Sequence, residues 1–250
     1  MSRLLRWKTT GFTMGLLALT ALIASPAAAG INGSAYVISA SSASGTASWA
    51  VPAPTGDNHY WDWSTTQRIE MRDPSSGNLV AVLNPNNEGC SVNYVDDPVI
   101  GLGFTVSAGA VATHFTISSG TLSFPVLAAA EARASAAYTL TDLDGDGATL
   151  TPASGPKSYT ASYNGGTTFA TLISAFASPA FTSTPSSESN PVGPGFVPLG
   201  VGISSMQADI EFTLSARDMA SGTTVFVVQQ RPVPVEPTTW GRIKALSMAR

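Results

Sequence analysis

Apolar and polar residues alternate with a period of two in short runs along most of this 250-residue chain. The segments "AYVISA", "IEMR", "LVAVL", "GFTVSA", "THFTIS", "TLSFPV", "AYTLTD", "SYTASY", "DIEFTLSA" and "TTVFVVQQ" read as strands, and turn residues recur between them at strand-and-loop spacing. Alternation of this kind gives each sheet one dry and one wet face, and two dry faces packed together form a core about 10 Å thick. The predicted fold is all-β: an antiparallel β-sandwich, Ig-like or jelly-roll-like, over residues 30–230. "DPSSGN" between "IEMR" and "LVAVL" predicts a hairpin, with Pro74 after Asp73 and Gly77 able to take positive φ.

Two stretches break the pattern. In "FATLISAF", Phe169, Leu172, Ile173 and Phe176 fit helical spacing as well as a strand. From Ala177 to Gly200 the prolines 179, 185, 191, 194 and 198 predict a long surface loop or an edge-crossing connection.

The two ends read differently from the body. Arg3, Arg6 and Lys8, the apolar run "GFTMGLLALTALIA" and the small residues "SPAAA" before Gly30 have the form of a secretory signal peptide over residues 1–29. No later segment approaches the roughly 20 apolar residues of a membrane span, so a soluble exported protein is expected once the leader is cleaved. Residues 231–250 form a Pro-rich linker, "RPVPVEP", and a short basic amphipathic tail, expected to be a helix or a flexible end. Thr238 or Thr239 would cap the helix, and Trp240, Ile243 and Leu246 would share one side.

Charge narrows the partners. Of 12 Lys and Arg and 16 Asp and Glu, three bases and no acids lie in the leader, which leaves 9 − 16 = −7. Nucleic acid needs a basic footprint and is excluded as a partner on this ground. Cys90 is the sole cysteine, so no disulfide forms within the chain, and burial is its expected state.

The succession "RIEMRDPSSGNLVAVLN", "DPVIGLGFTVSAGAVATHFTISSGTLSF", "ARASAAYTLTDLDGDGATLTP", "SYTASYNGGTTFATLI" and "DIEFTLSARDMASGTTVFVV" resembles exported bacterial β-sandwich proteins of the PEP-CTERM-associated type. The resemblance implies export and a life at or outside the cell surface, and it brings no catalytic residues with it. The PEP-CTERM anchor itself does not stand in this chain. Its place is taken by "PVPVEPTTWGRIKALSMAR", similar to the TWGxIK endings of other exported proteins, with Ser247 and Met248 where those have an aromatic.

Two constellations offer chemistry. In "TDLDGDGATLT", Asp142, Asp144 and Asp146 followed by Gly147 match the first half of a calcium loop, because alternating carboxylates on a tight turn can converge on a hard cation. Ala153 occupies the position where an EF-hand has its bidentate Glu. The other reading is therefore a β-hairpin whose Asp and Gly residues serve the turn.

In "DNHYWDWSTTQ", a strand puts Tyr60 on one face and Trp61 and Trp63 together on the other, as sugar-stacking groups or as core. The preferred reading is core for Trp61 and Trp63, with Tyr60 facing out. No G-x-S-x-G elbow or phosphate loop is present, His59 and His114 are the only imidazoles, and no cofactor other than calcium is expected.

The function expected from these features is a secreted, non-enzymatic β-sandwich of the cell surface or matrix, structural or adhesive, acting by self-association through edge strands. The alternative is a carbohydrate-binding module that meets an extracellular glycan through Tyr60, Trp61 and Trp63, joined by Tyr94 or Tyr163. An exported hydrolase is the third reading.

Overall fold

A computed structural model of the protein describes residues 30–55, 60–95 and 97–232. The proposed leader, His59 and the tail helix lie outside these residues. All the regular structure described is strand, and the strands form two antiparallel sheets of eight and nine strands packed face to face, a β-sandwich.

The first sheet contains β1 (Gly30–Ser42), β2 (Gly45–Pro52), β8 (Thr113–Leu127), β10 (Ala148–Pro152), β11 (Tyr159–Tyr163), β12 (Thr167–Leu172), β13 (Phe176–Ser178) and β16 (Ile203–Leu214). The second contains β3 (Tyr60–Thr65), β4 (Ile69–Arg72), β5 (Leu79–Leu83), β6 (Cys90–Val95), β7 (Val99–Ala108), β9 (Ala130–Thr141), β14 (Ser183–Asn190), β15 (Val197–Pro198) and β17 (Met219–Gln230).

The winding is that of a jelly roll. A hairpin, β11–β12, extends as β10 with β13, and this two-stranded ribbon folds into the second sheet as β9 with β14. It then crosses back as β8 with β16 and again as β7 with β17. Between the ribbons, β17 pairs β9 and β16 pairs β11, giving the orders β7-β17-β9-β14 and β8-β16-β11-β12. The hairpin β1–β2 widens the first sheet beside β8, and β3 to β6 widen the second beside β7.

Inward-facing residues of both sheets make one core, in which Phe212 of β16 is in ring contact with Phe104 of β7, Tyr138 of β9 and Phe115 of β8, and Phe104 also meets Tyr138. The "DPSSGN" hairpin forms between β4 and β5, with Gly77 at φ 74° and Asp73 accepting from the amides of Ser75 and Ser76.

Three expectations need correction. The proline-rich stretch from Ala177 to Gly200 is not simply a loop: β14 runs through it as an edge strand paired only with β9, where Pro185 sits without cost because an edge position has no second ladder to feed. "FATLISAF" contains no helical turn; β12 stops at Leu172, Ile173 takes φ 64° and β13 begins at Phe176. The Asp142–Gly147 segment is not a hairpin turn, because β9 and β10 belong to different sheets and the segment arches between them.

Candidate functional site

The acidic arch sits at the end of the sandwich where two crossings lie side by side, β9 to β10 and β13 to β14. Asp142 is buried and clasps them together. Its Oδ2 accepts from the amides of Gly145 (2.9 Å) and Phe181 (2.6 Å) and its Oδ1 from that of Gly147 (3.0 Å), while its own amide donates to the Thr182 carbonyl (3.1 Å). These backbone donors, that of Phe181 foremost, hold the Asp142 carboxyl below the usual carboxylate range. Asp146 is pushed the other way by Asp144, with which it shares a hydrogen bond and a like charge. The nearby Asp218 is fully buried and also raised, chiefly by desolvation; its Oδ1 accepts from the Leu143 amide (3.3 Å) and its Oδ2 from the Ser215 hydroxyl.

The oxygens of Asp142, Asp144 and Asp146 lie within 4.8 Å of one another, so the structure brings the proposed calcium ligands together. Asp142 has most of its acceptor capacity taken by amides, and Arg217 stands 3.9 Å from Asp144 as an internal cation. Calcium wants six to eight oxygens, so an ion here would draw most of its shell from water and backbone. The clasp is the structural work these contacts perform.

The aromatic run lies on the outermost strand of the second sheet. Tyr60 is 60% exposed on the outer face, while Trp61 and Trp63 are half-buried against the core. Trp63 meets Trp49 of β2 at 5.1 Å between ring centroids and Tyr36 of β1 at 6.4 Å, so the indoles close the seam between the two sheets. Trp61 packs on Tyr94 at 5.9 Å. Tyr94, named above as a stacking residue, is buried at 2% exposure and tied to sheet backbone, so it presents no ring face to a glycan, while Tyr163 is half-buried.

One feature was not legible in the sequence. On the outer face of the second sheet, register partners align Ser64, Ser91, Gly103, Thr223, Ala137 and Ser187 in one row across six strands. A recess of about 580 Å³ runs along this row, with Glu88 its one carboxylate, and a second of about 470 Å³ continues past Ala137 and Ser187 toward Val192. The spacing that produces the row follows from strand order, which alternation along the chain does not encode. Cys90 lies at the recess with its thiol pushed up to about 11 by burial, which makes it a poor nucleophile.

On the outer face of the first sheet, His114 approaches Glu211 (3.3 Å) and the Thr116 hydroxyl (3.3 Å), but both contacts use the same ring nitrogen, Nε2. A relay from carboxylate through imidazole to hydroxyl needs the two different nitrogens. Among the described residues no helix is long and apolar enough to cross a membrane.

No protein-family model matches the chain, and no curated protein matches it. Among solved structures, the enzymatically active domain of bacteriophage CBA120 tailspike protein 4 aligns with a TM-score of 0.24 and 12% identity over 69% of this chain. This chain covers 19% of that tailspike chain. A structure of infectious bursal disease virus Gx strain aligns with a TM-score of 0.26 and 11% identity, covering 86% of this chain and 72% of that one. Broad bean stain virus gives 0.21 and 9%, over 88% and 97%. Likenesses this distant carry no function to the chain.

Proposed function

We propose that this chain is an exported, non-enzymatic β-sandwich of the cell surface or matrix, structural or adhesive, which engages its partner on the outer face of the second sheet. The observation that carries the reading is the recess of about 580 Å³ lined by small hydroxyl-bearing residues in one register row. Such a floor offers donors and acceptors at strand spacing with almost no charge, which suits a flat neutral partner.

The test places a bulky charge in the row. Ala137→Arg is exposed and changes the fold's stability by about 0.5 kcal/mol or less, as surface substitutions do. Light scattering and cell-envelope binding are compared between the two proteins. Loss of self-association or of envelope binding in the variant supports the reading; a monomeric wild type that binds nothing overturns it.

A glycan is the second reading, favoured by Tyr60, which stands exposed on the same outer face as Ser64. Its test is a glycan array with Tyr60→Ala alongside: binding by the wild type and not the variant establishes it, and no binding by either removes it. The hydrolase reading has no carboxylate–imidazole–hydroxyl relay behind it at His114, the histidine among the described residues.

A further inference from the structure

Asparagine followed by glycine is open to self-modification, because the glycine amide nitrogen, unhindered by a Cβ, can reach the asparagine side-chain carbonyl. The chain holds two such pairs, Asn32–Gly33 and Asn164–Gly165, and both lie exposed. Exposure therefore does not separate them; hydrogen bonding does. Asn164 stands at φ 45° in the turn between β11 and β12, with both ends of its side chain fastened to backbone: Nδ2 donates to the Gly202 carbonyl (2.8 Å) and Oδ1 accepts from the Ser204 amide (3.0 Å). Swinging its Cγ onto the Gly165 nitrogen breaks both bonds and unhooks the turn from the start of β16.

Asn32 has no such clamp. Its Nδ2 donates to the Ser123 hydroxyl (2.8 Å), and its Oδ1 accepts no hydrogen bond among the described residues. It stands where the ladder between β1 and β8 loses register: Asn32 faces Thr121 and Tyr36 faces Ser119, so Gly33, Ser34 and Ala35 have only Gly120 across from them. Gly33 takes φ 84°, and a Cβ built on it would meet nothing within 4 Å, so the space beside it is open. The two Asp–Gly pairs of the acidic arch, which undergo the same ring closure, are silenced by the clasp: the amides of Gly145 and Gly147 are bonded to the Asp142 carboxylate (2.9 and 3.0 Å).

We propose that Asn32 is a spontaneous deamidation site and that, among these four pairs, the fold confines the chemistry to it. The Gly33 nitrogen bonds to Asn32 Cγ, the Cγ–Nδ2 bond breaks, and ammonia leaves with the proton that the Gly33 nitrogen gives up. Water then opens the cyclic imide. Attack at Cγ restores the backbone and yields aspartate; attack at the Asn32 backbone carbonyl yields isoaspartate, with the chain routed through the former side chain and one atom longer. Aspartate turns the bond to Ser123 around, the hydroxyl now donating. The extra backbone atom of isoaspartate falls where the ladder already has slack, so the pairing of Tyr36 to Ser41 with Ser119 to His114 keeps its register.

The purified protein, incubated warm in mildly alkaline buffer, tests the proposal, one sample folded and a parallel sample unfolded in urea. Peptide mass spectrometry reads each site, and enzymatic methylation of isoaspartate marks the isomer. In the folded protein Asn32 is expected to deamidate and Asn164 to do so at least about tenfold more slowly, since it must first give up two hydrogen bonds to backbone. In urea the two sites should convert at similar rates, because the clamp is gone. Asn32 unchanged in the folded protein while converting in urea overturns the proposal, as does Asn164 keeping pace with Asn32 in the folded protein. Isoaspartate rising at Asp144 or Asp146 in the folded protein as fast as at Asn32 overturns the confinement.

Discussion

Tyr36 and Tyr94 cross the sandwich in opposite directions, each from one sheet to the backbone of the other. The Tyr36 hydroxyl, from β1, donates to the Gly103 carbonyl of β7 at 2.8 Å. The Tyr94 hydroxyl, from β6, donates to the Ala35 carbonyl and accepts from the Gly120 amide at 2.7 Å. Tyr94 lands where the ladder between β1 and β8 loses register between Asn32 and Tyr36, so its oxygen satisfies groups that the irregularity frees. Gly120 is needed there, since a Cβ would stand 2.7 Å from the Ser34 carbonyl oxygen.

The two bolts differ in what they leave behind. Tyr94→Phe strands a buried amide and a carbonyl and is expected to cost about 2 kcal/mol, while Tyr36→Phe removes one acceptor contact and costs about 1 kcal/mol. Urea unfolding of both variants and of the pair measures this. Equal costs for the two single variants would show that the Tyr94 oxygen is not filling the ladder.

Gly222 is a second point where hydrogen is the largest group that fits. It pairs with Phe104 on one side and Tyr138 on the other, and the two rings close over it edge to face with centroids 5.2 Å apart. A Cβ at Gly222 would stand 2.5 Å from Tyr138 Cδ1 and 2.8 Å from Phe104 Cε1. Gly222→Ala is expected to destabilise by about 1–3 kcal/mol through overpacking, although alanine suits a strand better than glycine does. Chemical denaturation checks it, and a stabilised variant would mean the rings move aside freely.

The strands whose alternation is strong, such as "DIEFTLSA" in β16 and "AYTLTD" in β9, were legible because one face of each is core. "STPSSESN" in β14 was not, because an edge strand of serines buries little and its pairing partner, β9, is more than forty residues away. The same limit hid the character of the acidic arch. Asp142, Asp144 and Asp146 could be picked out as neighbours, but whether β9 and β10 share a sheet depends on long-range pairing, and so does the Phe181 amide that Asp142 accepts. Trp61 and Trp63 were placed on the right face by period two, yet nothing local announced Trp49 as their neighbour.

Acid should loosen the arch through Asp142. Its folded-state pKa lies below the unfolded value of about 3.9, so its contribution is fully present above that value and is lost as pH falls through the lower folded pKa. Asp218 has the opposite sign: its raised pKa opposes folding at neutral pH, and that opposition is relieved as pH falls. Thermal melts from pH 7 to pH 2 should therefore show Asp142→Asn lowering the midpoint at neutral pH and flattening the acid limb below about pH 4. Asp218→Asn should not flatten that limb. If Asp142→Asn instead ran parallel to the wild type at every pH, the carboxylate charge would have no part in the clasp.

Calcium can be separated from the clasp by leaving Asp142 alone. A cation drawing on Asp144 and Asp146 would bind in the range of extracellular modules, roughly 0.1–1 mM, and would raise the melting temperature only at millimolar concentrations. The same addition to Asp144→Asn, Asp146→Asn should give no rise, and magnesium should substitute poorly because it demands tighter octahedral geometry. A wild type indifferent to 10 mM calcium would assign all three carboxylates to the arch.

The seam at β2 and β3 separates a structural from a ligand-binding role for the indoles. Trp49 and Trp63 come from different sheets, and their 5.1 Å contact, with Tyr36 edge-on to Trp49 at 6.3 Å, closes one side of the core. Trp63→Ala is expected to cost about 3 kcal/mol, the lower end for a truncated aromatic because the ring is half-exposed. Trp63→Phe should recover most of that loss, since a ring still spans the seam. Near-ultraviolet circular dichroism should lose the Trp49–Trp63 signal in both variants, and a glycan series should leave the wild-type signal unmoved. A Trp63→Ala protein of undiminished stability whose wild-type parent responds to a glycan would make the pair a binding platform, because an indole that closes the core cannot leave it for a sugar without the sheets parting.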